Sequence, residues 1–138
     1  MVKIKIKKLY TKAIIPNYAK EGDAAMDLTA VSKNETEKYV QYGTGLAFEI
    51  PEGFVGLIFP RSSVSNKDLS QCNSVGVLDS GYRGELFVRF NPLGDEHYEV
   101  GERIGQIIIM PYPKVEVEEV LELEETSRGI GGFGSTGK

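Results

Sequence analysis

The chain is poor in the residues that staple or cage small proteins. It has one cysteine, Cys72, and one histidine, His97, among 138 residues. A single cysteine excludes an intrachain disulfide and a cysteine-based zinc site, and it suits a reducing compartment. A Cys–His nucleophile pair is conceivable. His97, however, lies in the polar run Gly94-Asp95-Glu96-His97-Tyr98, and nothing in the sequence brings it to Cys72. Long apolar runs are also missing. The N-terminus Met-Val-Lys-Ile-Lys-Ile-Lys-Lys alternates apolar and basic residues, so it has no signal-peptide h-region, and no stretch approaches a membrane span. The expectation is a soluble, cytoplasmic protein. No helical period persists over an ordinary helix length, and no internal repeat is visible. Positive charge is not in excess. A net charge of −4 argues against a broad nucleic-acid or membrane surface but leaves a local anion site open.

What the sequence does have is short apolar runs punctuated by turn residues. Val2, Ile4 and Ile6 alternate with lysines, as an edge strand does. Tyr39 to Ile50 is strand-like, broken at Gly43 and Gly45, and stops at Pro51-Glu52-Gly53. Phe54 to Phe59 ends at Pro60, Val64 to Ser70 suits one short helix, and Asn91-Pro92-Leu93-Gly94 is a turn. Arg103 to Met110 is an Ile-rich strand, and Val115, Val117 and Val120 alternate with glutamates as a last one. The pattern predicts an all-β fold, a compact barrel or jelly-roll-like sandwich, in a chain long enough for one domain with a real core.

The stretch from Cys72 to Phe90 carries the densest chemistry. Two apolar runs, Val75 to Leu78 and Leu86 to Phe90, flank Asp79-Ser80-Gly81-Tyr82-Arg83-Gly84, which reads as a β-hairpin with a polar tip. Asp79, Tyr82, Arg83 and Asn73 supply more side-chain chemistry than a turn requires. Four of the five arginines fall in motifs, at 61, 83, 103 and 128. Arg61-Ser62-Ser63 offers a cation and two hydroxyls at a strand end, though taken alone this is an ordinary loop. Arg103-Ile104-Gly105-Gln106 should put Arg103 and Gly105 on one strand face and Gln106 on the other. Asp27, between Met26 and Leu28, suits a partly buried carboxylate that holds an arginine or a water on a metal.

The tail from Arg128 to Lys138 contains five glycines and should be mobile on its own. It mimics G-x-G-x-x-G and G-x-x-x-x-G-K, but no helix can follow and the P-loop hydroxyl residue is missing, so both are rejected. Backbone N–H groups, Ser135, Thr136, Arg128 and Lys138 could still wrap a polyphosphate, with Phe133 stacking on a flat ring. The bland alternative is a disordered polar terminus. Seven residues before it, 121–127, could span roughly 23 Å, enough to reach another subunit.

Five motifs in order make this chain resemble the all-β, homotrimeric dUTPases (deoxyuridine triphosphate nucleotidohydrolases). They are Ala24-Ala25-Met26-Asp27-Leu28-Thr29-Ala30, Pro60-Arg61-Ser62-Ser63, Asn73 through Glu85, Arg103-Ile104-Gly105-Gln106, and Arg128-Gly129 through Gly137. The resemblance implies a distorted jelly-roll-like β-barrel over residues 1–120, with 121–138 as linker and Gly-rich arm closing over an active site of the trimer. It implies hydrolysis of dUTP to dUMP and pyrophosphate, which keeps uracil out of DNA and supplies dUMP for dTMP synthesis. Asp79 would activate water for attack on the α-phosphate. Tyr82 would lie against the deoxyribose, and Asn73 with the hairpin backbone, Gly76 included, would read uracil. Ser62 and Gln106 would bind phosphate, with Arg61 and Ser63 in support. Arg128, Ser135 and Thr136 would close on the β- and γ-phosphates, and Phe133 and Gly134 would cover the base. Mg²⁺ would be held mainly by phosphate oxygens and water, with Asp27 acting through water. Three chains would share each site. Arg83 is assigned to bracing the hairpin or a subunit contact. Ala25, Gly81 and Gly105 depart from the usual family residues without removing a catalytic group. A related deaminase of dCTP would carry a catalytic Glu where Arg89 stands, which argues against deamination. A non-catalytic nucleotide-binding homologue should have lost the base or the tail, and both are present.

Overall fold

A computed structural model describes residues 1–137; Lys138, assigned above to the polyphosphate wrap, lies outside the described residues. The fold is all-β. Ten strands run β1 (Lys5–Lys8), β2 (Met26–Thr29), β3 (Ser32–Glu35), β4 (Val40–Gly43), β5 (Leu46–Glu49), β6 (Phe54–Phe59), β7 (Leu69–Gln71), β8 (Gly76–Leu78), β9 (Phe87–Pro92) and β10 (Arg103–Pro111). They form two four-stranded antiparallel sheets, β2-β10-β6-β8 and β3-β4-β9-β7, and a two-stranded ribbon, β1-β5. One core joins them. Leu28, Ile58, Leu78, Ile104 and Ile107 from the first sheet meet Val40, Tyr42, Leu69, Val88 and Phe90 from the second. The arrangement is compatible with a distorted jelly-roll, its ladders remaining separate. No helix among the described residues is long and apolar enough to cross a membrane.

Glycine breaks the 39–50 stretch as expected. Gly45 sits at φ +69° between β4 and β5, a conformation that L side chains adopt rarely. At the centre of the core Tyr42, Phe90 and Tyr98 pack edge-on or tilted, with centroids 5.7 to 6.2 Å apart. The Tyr42 hydroxyl donates to the Tyr98 carbonyl at 2.8 Å.

Four expectations are corrected. Val64 to Ser70 is not one helix: a 3₁₀ turn covers Ser62–Asn66, and β7 begins at Leu69. The arms of the expected hairpin do not pair with each other. β8 pairs with β6 in one sheet, and β9 pairs with β4 and β7 in the other. Alternation marks both arms as strands but does not choose their partners. The segment after Pro111 forms no strand, and Val115 and Val117 stand 77 % and 89 % exposed. Its pattern has nothing to pair with inside the chain. Finally, the β10–β2 register shifts between Arg103 and Gly105. This bulge places Arg103 opposite Thr29 and Gln106 opposite Asp27, so both join one face rather than opposite faces.

Candidate active site

The excursion from β7 to β9 builds a cleft between the two sheets. It is closed at its base by the Gln71–Phe90 pair and by the Cys72 amide donating to the Arg89 carbonyl at 3.0 Å. A volume of about 490 Å³ is lined by Gln71, Asn73, Gly76, Asp79, Tyr82 and Arg89, among others. Asp79 follows directly on β8 and is exposed, as a carboxylate meeting water must be. Gly76 lies against Ile58: a Cβ there would stand 3.0 Å from the Ile58 Cβ and 3.5 Å from Asn73 Nδ2. Bare backbone is therefore presented beneath the Asn73 amide. The Tyr82 hydroxyl donates to the Glu85 carbonyl at 3.0 Å. A Cβ on Gly84 would run into the Tyr82 ring, 2.6 Å from its Cζ, so that glycine lets the ring fold back over the turn.

The tip is braced on β5. Arg83 donates to the carbonyls of Ser80 (2.6 Å), Tyr82 (3.1 Å) and Phe48 (3.4 Å), and its guanidinium lies 3.8 Å from Glu49. Of the roles considered for Arg83, bracing is the one these contacts serve. Glu85 accepts from the Gly45 amide at 3.1 Å, and Thr44 donates to the Leu86 carbonyl at 2.8 Å. Lys5, which bonds Glu49 at 2.8 Å, holds that carboxyl below its usual range, with Arg83 adding to the effect.

A second cluster forms where β2, β10 and the exit of β6 meet. Asp27 accepts from Arg61 Nε at 2.7 Å and pairs with Arg103 at 3.4 Å. Gln106 donates to the Pro60 carbonyl at 2.9 Å. Ser63 shares a 2.8 Å hydrogen bond with the Tyr98 hydroxyl, while Ser62 is exposed. Two cations against one carboxylate leave net positive charge beside a free hydroxyl, a suitable cradle for phosphate. Tyr98, at the end of the polar run after Gly94, was not singled out from sequence. Its neighbours are charged, and only the fold shows its ring in the core and its hydroxyl on Ser63.

The structure does not bring the two clusters together. Leu78, next to Asp79, pairs with Gly56, whereas Arg61 follows the other end of β6. Five residues at a strand rise of about 3.3 Å put the Asp79 end of the cleft roughly 17 Å from Arg61 along β6, while Gly76 at its other end pairs with Ile58. The tail stands apart from both. Among the described residues its hydrogen bonds are internal: Arg128 donates to the Gly131 carbonyl at 3.0 Å, and the Gly129 amide donates to Thr126 at 3.1 Å. Arg128, Gly132, Phe133, Gly134, Ser135 and Thr136 line a hollow of their own, and Phe133 is fully exposed. Cys72 and His97 do not meet. The thiol lies 3.4 Å from Asn91, while His97 contacts Glu35 and the Gly94 carbonyl. Arg89 bonds Gln41 at 2.8 Å and stacks on Tyr39 at 4.0 Å, so it braces the sheet. Among the described residues no three His, Cys, Asp or Glu side chains converge as a metal cage.

A family model described as dUTPase matches residues 11–137. The chain belongs to the dUTPase family. Similar curated proteins carry the name deoxyuridine 5′-triphosphate nucleotidohydrolase. The one from Clostridium acetobutylicum is 42% identical over 142 residues, covering 99% of this chain and 98% of the relative. That of Nautilia profundicola is 43% identical, covering 99% of this chain and all of the relative. Among solved structures, the dUTPase of Staphylococcus bacteriophage 80alpha with dUPNHPP superposes with a TM-score of 0.84 at 28% identity, covering 99% of each chain. The match of this dUTPase-family chain to the family model thus runs through the arm to residue 137.

Proposed function

We propose that the chain hydrolyses dUTP to dUMP and pyrophosphate at sites shared by three copies of itself, in the cytoplasm, so limiting uracil in DNA and supplying dUMP. The observation that carries this reading is the cleft, where an exposed carboxylate, a tyrosine ring and an amide over bare glycine backbone line one volume. Asn73 and the backbone at Gly76 take the uracil edge. Tyr82 lies against the deoxyribose, leaving no room for a 2′-hydroxyl. Asp79 accepts a proton from a water as that water's oxygen bonds to the α-phosphorus; the bond from the α-phosphorus to the bridging oxygen breaks, and pyrophosphate leaves. Ser62 and Gln106, with Arg61 and Ser63 in support, position the triphosphate and neutralise its charge.

The placement of Asp79 and Arg61 toward opposite ends of β6 and the tail's separate hollow support a shared site. One chain supplies the hairpin and another the Asp27–Arg61–Arg103–Gln106 cluster. A third sends residues 121–138 across to close Arg128, Ser135 and Thr136 on the outer phosphates, with Phe133 and Gly134 over the base. The exposed valines at 115 and 117 support that crossing, since a strand pattern without a partner in its own chain suits pairing with another. Mg²⁺ fits this donor set only as an ion carried by the triphosphate, because Asp27 already holds two arginines. Asp27 would reach it through water, and the ion would supply further neutralisation of phosphate charge. Pyrophosphate release from dUTP, set against dTTP, dCTP and UTP, tests the assignment. Release from dUTP alone is expected, and no release from dUTP would overturn it.

A further inference from the structure

Gln71 is one of two buried polar residues among the described residues, with 6% of its surface exposed, and it lines the cleft at the end of β7. Its Nε2 donates to the Ile58 carbonyl at 3.0 Å and the Ser74 carbonyl at 3.3 Å. Backbone carbonyls only accept. A flipped amide would set oxygen against oxygen at both, so the side chain has one orientation. The same nitrogen lies 3.4 Å from Asn73 Oδ1, which shares with the Ser74 carbonyl the second of its two hydrogens. That contact draws the Asn73 carbonyl toward Gln71 and leaves its Nδ2 beside Gly76, 3.5 Å from where a Cβ would stand. The local backbone imposes the meeting. Ser74 is left-handed at φ 57°, and its amide donates to the Gln71 carbonyl at 3.2 Å, which folds Asn73 back over the glutamine.

The glutamine is costly as well as stabilising: its Nε2 serves two backbone carbonyls, but its Oε1 is the one buried side-chain N or O atom without a partner among the described residues. We propose that Gln71 is a specificity-determining positioning residue: it fixes the amide orientation of Asn73 so that a donor, and not an acceptor, faces the base. This rests on the reading that Asn73 meets the pyrimidine edge. An N–H donor complements the carbonyl at position 4 of uracil. It opposes the amino group that cytosine carries at the same position, leaving a donor unpaired on each side. With Gln71 gone, Asn73 is free to turn its oxygen to the base, and discrimination between dUTP and dCTP weakens.

The test uses the full-length protein with Gln71→Leu, Asn73→Ala and the double variant, and measures kcat and KM for dUTP and dCTP. Gln71→Leu is expected to raise KM for dUTP and to lower the dUTP-to-dCTP ratio of kcat/KM by about tenfold. Its kcat should stay within about twofold; any fall in melting temperature reports the lost bonds to the Ile58 and Ser74 carbonyls and is separate from the ratio. In the Asn73→Ala background it should change the ratio no further, because its effect passes through that amide. Should Gln71→Leu fail to fold, Gln71→Met carries the same expectations. An unchanged ratio in the glutamine variant, with a lowered one in Asn73→Ala, overturns the inference and leaves the uracil reading standing. Equal and additive losses in the double variant overturn it as well. If Asn73→Ala leaves the ratio intact, the uracil reading itself fails, and the inference with it.

Discussion

The excursion through residues 72–90 and the tail after residue 121 look alike in sequence. Both are glycine-bearing and polar, and both carry an arginine, a serine and an aromatic residue. The fold treats them in opposite ways. The excursion is held on both sides, with Arg83 on β5 and Glu85 on Gly45, and with Asn73 beside Gln71 at the end of β7, which itself bonds β6. Among the described residues the tail bonds only to itself, and it leaves Phe133 in solvent. The difference divides the proposed labour. Reading a base needs donors fixed before the ligand arrives, since ordering them afterwards costs affinity. Closing over phosphates needs a segment that lets substrate in and product out.

Breaking each half tests the division. Asp79→Asn should lower kcat by about a thousandfold, as expected for a lost general base, with the melting temperature unchanged because the residue is exposed. Steady-state pyrophosphate release beside a thermal melt measures both; near-full activity would remove Asp79 from the base role. Ending the chain before Arg128 should cost about a hundredfold in turnover, through lost closure, and leave a folded trimer by sedimentation. Unfolding on truncation would make the tail a structural element and erase the contrast. Mixing subunits sharpens it further. Asp79→Asn and Arg61→Ala chains, each nearly inactive alone, should regain activity when unfolded and refolded together at equal amounts. About a quarter of sites in randomly assorted trimers would then combine an intact hairpin with an intact basic cluster. No recovery would place both clusters in one chain's site.

Strands buried on one face were legible, because alternation and the glycine break at 43–45 report burial directly. β3, Ser32–Glu35, was not: Ser32, Asn34 and Glu35 are polar and at least partly exposed, and the strand is held by its ladder with β4. Partner choice was equally hidden, since β8 and β9 have the pattern of a hairpin and join different sheets. The bulge at 103–105 inverted the expected faces of Arg103 and Gln106, and no residue pattern announces an inserted residue. The residues of the candidate site were legible as types in motifs. Their supports, Tyr98 under Ser63 and Gln71 behind Asn73, were not, because a supporting residue is defined by what it touches.

The smallest effect comes from loosening the excursion without touching its chemistry. Arg83 makes its bonds to three backbone carbonyls and lies half-exposed near Glu49. Removing it to alanine should cost about 0.5 to 1 kcal/mol of stability, below the usual worth of hydrogen bonds to a charged group, since solvent competes for them at this half-exposed site. The tip would then sample orientations in which Asp79 and Tyr82 are no longer set together. KM for dUTP should rise about threefold to tenfold, with kcat reduced less, because binding must now select the braced conformation. The same arginine in a truncated chain gives the sharper comparison. If the excursion and the tail are independent, the two losses should multiply. If Arg83→Ala has no effect once the tail is removed, the brace acts on closure rather than on the cleft, and the division drawn between the two regions does not hold.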